Sequence, residues 1–296
     1  MVEIPIIDLS TFTNGNATTR QTVVKQIYQA CHEIGFMYLQ NPGISPDLID
    51  QIFIQSKSFF NLPLELKQQQ AWSDEYSNTG YVGMERERLD PNKPGDLKEA
   101  FNIDKDKSAQ NPHILAFYDA CTELANTVLE GLALALELPA DFFTTRHNQQ
   151  NHTLRLLHYP PLQTSPKPGQ VRAGEHSDYG SITLLFQDEI GGLEVQTVEG
   201  KWIAAAAIPG TVVVNTGDLM QRWTNHVFCS TKHRVMLPSD SRVKHSRYSV
   251  AFFCHPNDEI EIACLESCQK ERIPIYAPIL AGEYLLSRLQ TTYSTP

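Results

Sequence analysis

Positive charge is scarce in this chain: 24 Lys and Arg stand against 34 Asp and Glu, for a net charge of −10. With no basic runs, binding along a phosphate backbone is disfavoured, and so is docking on an anionic membrane surface. No apolar run approaches the ~18 residues needed to span a bilayer. Met1-Val2-Glu3-Ile4-Pro5 has neither a basic n-region nor an apolar h-region, so it does not read as a signal peptide. Internal repeats and low-complexity tracts are absent too. The six cysteines, at 31, 121, 229, 254, 264 and 268, form no C-x-x-C. They read as free thiols in a reducing cytoplasm; Cys264-x3-Cys268 hints at a metal site or a disulfide, but two unrelated small residues near a turn is the better reading. A chain of 296 residues is long enough for a full core, in one large domain or a domain with an appendage.

What is present divides into a helix-rich part followed by a strand-rich part. Ile4–Leu9 is a short apolar run that reads as a first strand. Val23, Ile27, Ala30, Cys31 and Ile34 have helical spacing over residues 20–34, with Gly35 as the stop, and Phe36–Leu39 follows as a strand. Ser45-Pro46-Asp47 is a helix start: a capping hydroxyl, proline at the first helical position and an acid in the first turn. The apolar face of that helix is Leu48, Ile49, Ile52, Phe53, Phe59 and Phe60, and Pro63 ends it. Ala71–Pro112 is polar and rich in Gly and Pro, predicting mostly loop with short extended pieces at Tyr81-Val82 and Glu99–Ile103. Asn111-Pro112 opens a long helix to about Leu138.

After residue 150 the pattern changes. Thr153–Tyr159, Ile182–Gln187, Leu193–Thr197, Trp202–Ala205, Thr211–Asn215 and Tyr248–Cys254 are candidate strands, separated by Pro160-Pro161, Gly191-Gly192, Glu199-Gly200, Pro209-Gly210 and Gly217-Asp218. Many short strands with regular turn signals predict a sandwich or jelly-roll barrel. A last helix is predicted over Pro278–Gln290. The expected fold class is α+β: a double-stranded β-helix (jelly-roll) core flanked by helices, with a helix-rich N-terminal region.

Within the strand-rich part, His176 and Asp178 are two apart, which puts them on one side of an extended strand. An imidazole and a carboxylate on one face are two of the three ligands of a non-haem iron(II) facial triad. The tripeptide alone is a weak signal, since most such pairs are surface polar residues. A third ligand would be another neutral imidazole from a different segment. His226, His233, His245 and His255 all qualify, and spacing alone does not choose between them. Further on, Arg247 and Ser249 repeat the two-apart pattern. A guanidinium binds a carboxylate through two parallel hydrogen bonds and a hydroxyl adds a third donor, as suits a dicarboxylate reaching into a barrel. Taken alone, a strand arginine on the solvent face is an equally good reading.

His176-x-Asp178, His233-Arg234-Val235 and Arg247-x-Ser249, in that order, resemble the isopenicillin N synthase-like branch of the 2-oxoglutarate/iron(II) oxygenases. Gly180, Thr183, Gln187-Asp188, Gly191-Gly192-Leu193, Trp202, Asn215-x-Gly217-Asp218 and Arg222–Asn225 match as flanks. Ile4–Leu9, Gly35-Phe36, Phe59-Phe60-x-Leu62-Pro63 and Lys98-Glu99-x-Phe101 resemble that family's leader region, so the likeness covers nearly the whole chain. Two departures stand out. Leu157 in Leu157-His158-Tyr159-Pro160 replaces an asparagine that the family often has, which puts one co-substrate hydrogen bond in doubt. Asn41-Pro42-Gly43 replaces an Asn-His-Gly and reads as a change of turn.

The resemblance implies iron(II) on His176, Asp178 and His233, and 2-oxoglutarate held at its far carboxylate by Arg247, Ser249 and Tyr159. Molecular oxygen is the other co-substrate, and succinate and carbon dioxide leave as a C–H bond of a small molecule is hydroxylated or desaturated. By the same resemblance Phe253 and Arg155 line the substrate pocket, with Phe101 and Tyr81 as further candidates. An aromatic wall with one cation suits a flavonoid-like phenolic or an amino-acid-derived acid. Residues 1–110 are expected to form the leader region and 111–296 the catalytic region, in one compact unit. The expected state is a monomer or weak homo-oligomer in the cytoplasm, without nucleic-acid or membrane partners. Two other readings fit the motifs: an oxidative-cyclisation enzyme of the same family that does without 2-oxoglutarate, and a non-catalytic metabolite-binding barrel.

Overall fold

The computed structural model of the chain describes residues 3–72, 78–88, 93–162, 164–269 and 272–293. Its principal strands are β1 (Ile6–Asp8), β2 (Phe36–Gln40), β3 (Gly80–Val82), β4 (Glu99–Ile103), β5 (Thr153–Tyr159), β6 (Ala173–His176), β7 (Ile182–Gln187), β8 (Leu193–Gln196), β9 (Trp202–Ala204), β10 (Thr211–Thr216), β11 (His233–Val235) and β12 (Arg247–Cys254). Eight of them form a large sheet in the order β1-β2-β10-β7-β12-β5-β4-β3, and the other four a small sheet, β6-β11-β8-β9. Pairing is antiparallel throughout, apart from β1 on β2.

Strand alternation sorts the large sheet's side chains between two cores. On one face, Leu154 and Leu156 of β5, Ile182 and Leu184 of β7, and Val250 and Phe252 of β12 pack against the helices. On the other, Leu157, Tyr159 and Ala251 meet Ala173, Leu193, Val195 and Val235 of the small sheet. The two sheets thus close on a second interior, and the residues that alternate with the helix-side core point into it.

The helices cover the first face. Ala17–Glu33 starts earlier than the apolar spacing predicts, because Asn16 Oδ1 accepts the Thr18 and Thr19 amides at 3.0 Å. Gly35 ends it in the left-handed region, at φ +69°. Pro46–Phe60 has the predicted start, with Ser45 accepting the Leu48 amide, and Pro112–Ala135 is capped by Asn111. Phe117, Leu124, Val128, Leu129 and Leu132 of the latter are buried against the sheet and its neighbouring helices. Each such side chain stabilises the fold by roughly 1.5–3 kcal/mol. None of the helices among the described residues is long and apolar enough to cross a membrane.

Several boundaries differ from the sequence expectation. β1 spans Ile6–Asp8 only. The last helix is Ala281–Tyr293 rather than Pro278–Gln290, because Ile279-Leu280 pairs as a strand with Glu261-Ile262. The short helix Lys105–Ser108, capped by Asp104, falls in the stretch expected to be loop, of which 73–77 and 89–92 lie outside the described residues. Strand β6 ends at His176, so Asp178 stands in the turn beyond it rather than on the same strand. The ladder stops there because His176 is the last residue of β6 with a partner on β11.

Candidate active site

His233 opens β11 and pairs directly with His176 of β6, their ring centroids 4.2 Å apart. Asp178 is brought to the same place from the following turn, where its carbonyl accepts the Asp218 amide at 2.7 Å. Its carboxylate is oriented by the large sheet. Thr183 of β7 and Asn215 of β10 both donate to Oδ2, at 2.6 and 2.7 Å. Oδ1 is left 3.7 Å from His233 Nε2. One ligand atom from each of His176, Asp178 and His233 lies within 4.8 Å of the others, the one such group among the described residues.

Both imidazoles are held by backbone carbonyls through Nδ1, His176 by Gly174 at 2.8 Å and His233 by Thr231 at 3.2 Å. A carbonyl only accepts, so each Nδ1 carries a proton, which leaves each Nε2 as the nitrogen available to a metal. Burial, reinforced by His233, pushes the His176 imidazole far below the usual histidine range. For Asp178 burial acts upward, but His233, His176 and the two donated hydrogen bonds outweigh it and lower the carboxyl. Two imidazoles and an ionised carboxylate, each fixed from behind, are the donor set that iron(II) takes.

These groups open onto a cavity of about 1030 Å³ between the sheets. Register gives it a depth scale: across β5 and β12, Tyr159 faces Arg247, Leu157 faces Ser249, Arg155 faces Ala251 and Thr153 faces Phe253. Thr183, which holds Asp178, is level with Phe253 on β7. Arg247 is therefore at the far end from the histidine–carboxylate group. It is 1% exposed, lies over the Tyr159 ring at 4.7 Å, and donates to Ser249 Oγ and Gln187 Oε1 at 3.2 Å each. Its Nε has no partner among the described residues.

Between the two ends, one wall is charged and buried. Lys98 Nζ lies 2.7 Å from Asp96 and 3.0 Å from Glu87, which also pairs with Arg155. Burial alone would lower the Lys98 pKa, but the two carboxylates raise it. Asp96 accepts the Gly174 amide at 2.9 Å, tying the network to the strand that carries His176. Leu285, Leu286 and Leu289 of the last helix close another side.

Residues 4–121 match the family described as non-haem dioxygenase in morphine synthesis N-terminal, and residues 150–256 match the 2OG-Fe(II) oxygenase superfamily. A 2-oxoglutarate-dependent dioxygenase of Aspergillus rugulosus is 31% identical over 98% of this chain and 99% of its own. A proline hydroxylase of Petromyces alliaceus is 32% identical over 99% of this chain and 100% of its own. The chain belongs to the 2-oxoglutarate/iron(II) oxygenase family. Among solved structures, a full-length Neurospora crassa protein crystallised with alpha-KG superposes with a TM-score of 0.90 at 37% identity, covering 97% of this chain and 96% of that one. The same protein with alpha-KG and thymine gives 0.87 at 36%, over 97% and 96%.

This oxygenase is an enzyme that takes iron(II), 2-oxoglutarate and oxygen and acts on small molecules. Of the side chains expected in its substrate pocket, Arg155 and Phe253 line the cavity. Phe101 and Tyr81 do not: they lie on the helix-side face, Phe101 stacked on Phe59 at 4.1 Å and Tyr81 donating to Glu99 at 2.6 Å. Alternation is the reason, since Ala100 and Val82 take the inner face of β4 and β3. Asn102, opposite Arg155, is the inward residue that sequence reading missed. The inner face of β5 could have located it. Leu157 lines the cavity where the family often has an asparagine, and Gln187 touches Arg247 from the facing strand instead. His226 lies apart, stacked on Tyr276, while the His245 carbonyl meets Arg172. His255 reaches the cavity wall beside Phe253 but not the three-ligand group.

Proposed function

We propose that His176, Asp178 and His233 hold iron(II) in this oxygenase, that Arg247, Ser249 and Tyr159 bind the far carboxylate of 2-oxoglutarate, and that Arg155, Asn102 and Phe253 receive a planar small molecule rich in amide or carbonyl groups. The observation that carries this reading is one cavity with the three-ligand group at one end and a buried, incompletely bonded guanidinium at the other. When bound, the metal supplies oxygen activation coupled to decarboxylation of the 2-oxo acid, which forms succinate and carbon dioxide. The chain's own contribution is placement. Arg247 fixes one end of the co-substrate, so that its 2-oxo end points at the histidines. Thr183 and Asn215 keep Asp178 aimed. The leucines of the last helix limit water around the reacting C–H bond.

The substrate class follows from the middle of the cavity. Phe253 supplies a flat apolar plate. Asn102 spends Nδ2 on Asn78 at 2.9 Å, and its buried Oδ1 has no donor among the described residues; it lies across the sheet from Arg155. An acceptor beside a donor-bearing cation suits a ring with adjacent N–H and C=O groups. The N. crassa protein crystallised with thymine is consistent with that class. The six free cysteines fit a reducing cytoplasm.

The test is succinate release by purified protein with iron(II) and 2-oxoglutarate. The panel is thymine and related cyclic amides, proline, a flavonoid-like phenolic and amino-acid-derived acids. Cyclic amides are expected to stimulate succinate release most, and the product should carry one added oxygen. Stimulation only by proline or by the phenolic would overturn the substrate class, and oxygen uptake without 2-oxoglutarate would overturn the clamp.

A further inference from the structure

Two arginines are buried near the start of β12, and the clamp described above uses one. Arg172 is 1% exposed, as buried as Arg247. It immediately precedes β6, and its Nη2 donates at 3.1 Å to the carbonyl of His245, two residues before Arg247 on the approach to β12. Its Nε and Nη1, and Arg247 Nε, have no hydrogen-bond partner among the described residues. The charge of Asp188 acts on both guanidinium groups, while burial raises the pKa of its own carboxyl. Its two oxygens are already engaged by the backbone amides of Ile190 and Tyr248. Among the described residues, this end of the barrel therefore gathers two buried positive charges, the Asp188 carboxylate, and three guanidinium nitrogens lacking acceptors. Buried donors left unmet are unfavourable, and like charges in a low-dielectric interior repel strongly. Burial and the neighbouring Arg247 both lower the pKa of Arg172, as such crowding requires.

We propose that Arg172 is a positioning residue for the dicarboxylic co-substrate, a second guanidinium whose charge, acting with Arg247, is balanced when the distal carboxylate arrives. The inference rests on the reading of Arg247 and Ser249 as the co-substrate clamp and deepens it. The anion relieves the repulsion between the two arginines, so Arg172 favours binding of a 2-oxo acid with a second carboxylate over one without.

The experiment compares full-length wild type, Arg172→Met, Arg172→Lys and Arg247→Met, each loaded with iron(II) under argon and titrated calorimetrically. The titrants are 2-oxoglutarate and 2-oxopentanoate, which has the same carbon chain without the distal carboxylate. Arg172→Met is expected to raise the Kd for 2-oxoglutarate roughly tenfold, in keeping with loss of one buried positive charge near the anion, and to leave 2-oxopentanoate binding unchanged. Arg172→Lys keeps the charge, and a smaller rise is expected. Unchanged 2-oxoglutarate affinity in both variants, or an equal loss for both acids, would make Arg172 a packing residue and overturn the inference. Should Arg172→Met fail to fold, Arg172→Lys decides by the same criteria. Arg247→Met separates the two readings. If it too leaves 2-oxoglutarate binding unchanged, the clamp itself is wrong. If it alone weakens binding, only the role of Arg172 falls.

Discussion

Asn215 donates to Asp178 across the barrel, from β10 of the large sheet to the turn after β6 of the small one, at 2.7 Å. That bond ties up Oδ2 and leaves Oδ1 turned toward His233. Loss of a partner that orients a metal ligand costs roughly 10–100-fold in metal affinity. Asn215→Ala should therefore bind iron(II) that much more weakly while keeping its far-ultraviolet circular dichroism. Anaerobic iron titration in the presence of 2-oxoglutarate checks this, and wild-type affinity would show that Thr183 orients the carboxylate unaided.

Asp178→Ala should abolish iron-dependent conversion of 2-oxoglutarate to succinate, because two imidazoles remain with no anionic ligand. Quantifying succinate in iron-supplemented assays reads this directly. Full activity in the variant would refute the ligand assignment.

Gly217 is required for space rather than for an unusual backbone angle, since its φ is −109°. A Cβ there would lie 2.4 Å from the Gly180 carbonyl oxygen and 2.9 Å from that of Asp178, both backbone atoms that cannot swing aside. Gly217→Ala should lower stability by about 1–3 kcal/mol and also weaken iron binding, as the turn carrying Asp178 is displaced. A denaturant midpoint together with an iron titration measures both. Lowered stability with unaltered iron affinity would mean that the turn relaxes without moving the carboxylate.

His147 is buried, bonded to the Phe143 carbonyl through Nδ1 and to Ser181 through Nε2, and burial pushes its pKa down to about 4. The unfolded chain takes up that proton near pH 6.5 and the native protein only near 4. The contribution to stability is thus complete above pH ~6.5 and lost as the pH falls toward 4, by up to about 3 kcal/mol. His147→Gln should lose less stability than wild type between about pH 7 and 5. Urea midpoints at the two pH values report the difference, and an equal loss in both proteins would clear His147 of any part in acid sensitivity.

The strands β5 and β7 carry their own boundaries, because alternation and flanking turn residues are properties of a few consecutive positions. Caps are equally local, as Ser45 and Asn111 illustrate. Which face of a strand turns inward is not local. Phe101 and Tyr81, candidates for the pocket by sequence, face the helices because the parity of β3 and β4 is set by pairing with β5. Asn102 is hidden from sequence reading for the same reason. Thr183 and Asn215 stand out as motif flanks, but their hydrogen bonds to Asp178 depend on where three separate segments meet.

By itself the sequence determined the element types, the two-apart His176–Asp178 and Arg247–Ser249 pairs, and, through family likeness, the chemistry to look for. Its spacing left four histidines eligible as the third partner. Only the tertiary structure brought His233 opposite His176, sent His226 to Tyr276, and buried Arg172 beside the entry to β12. The physical reason is range: alternation, capping and turn formation act within about ten residues, whereas strand register and the burial of charge are set by segments far apart in the chain.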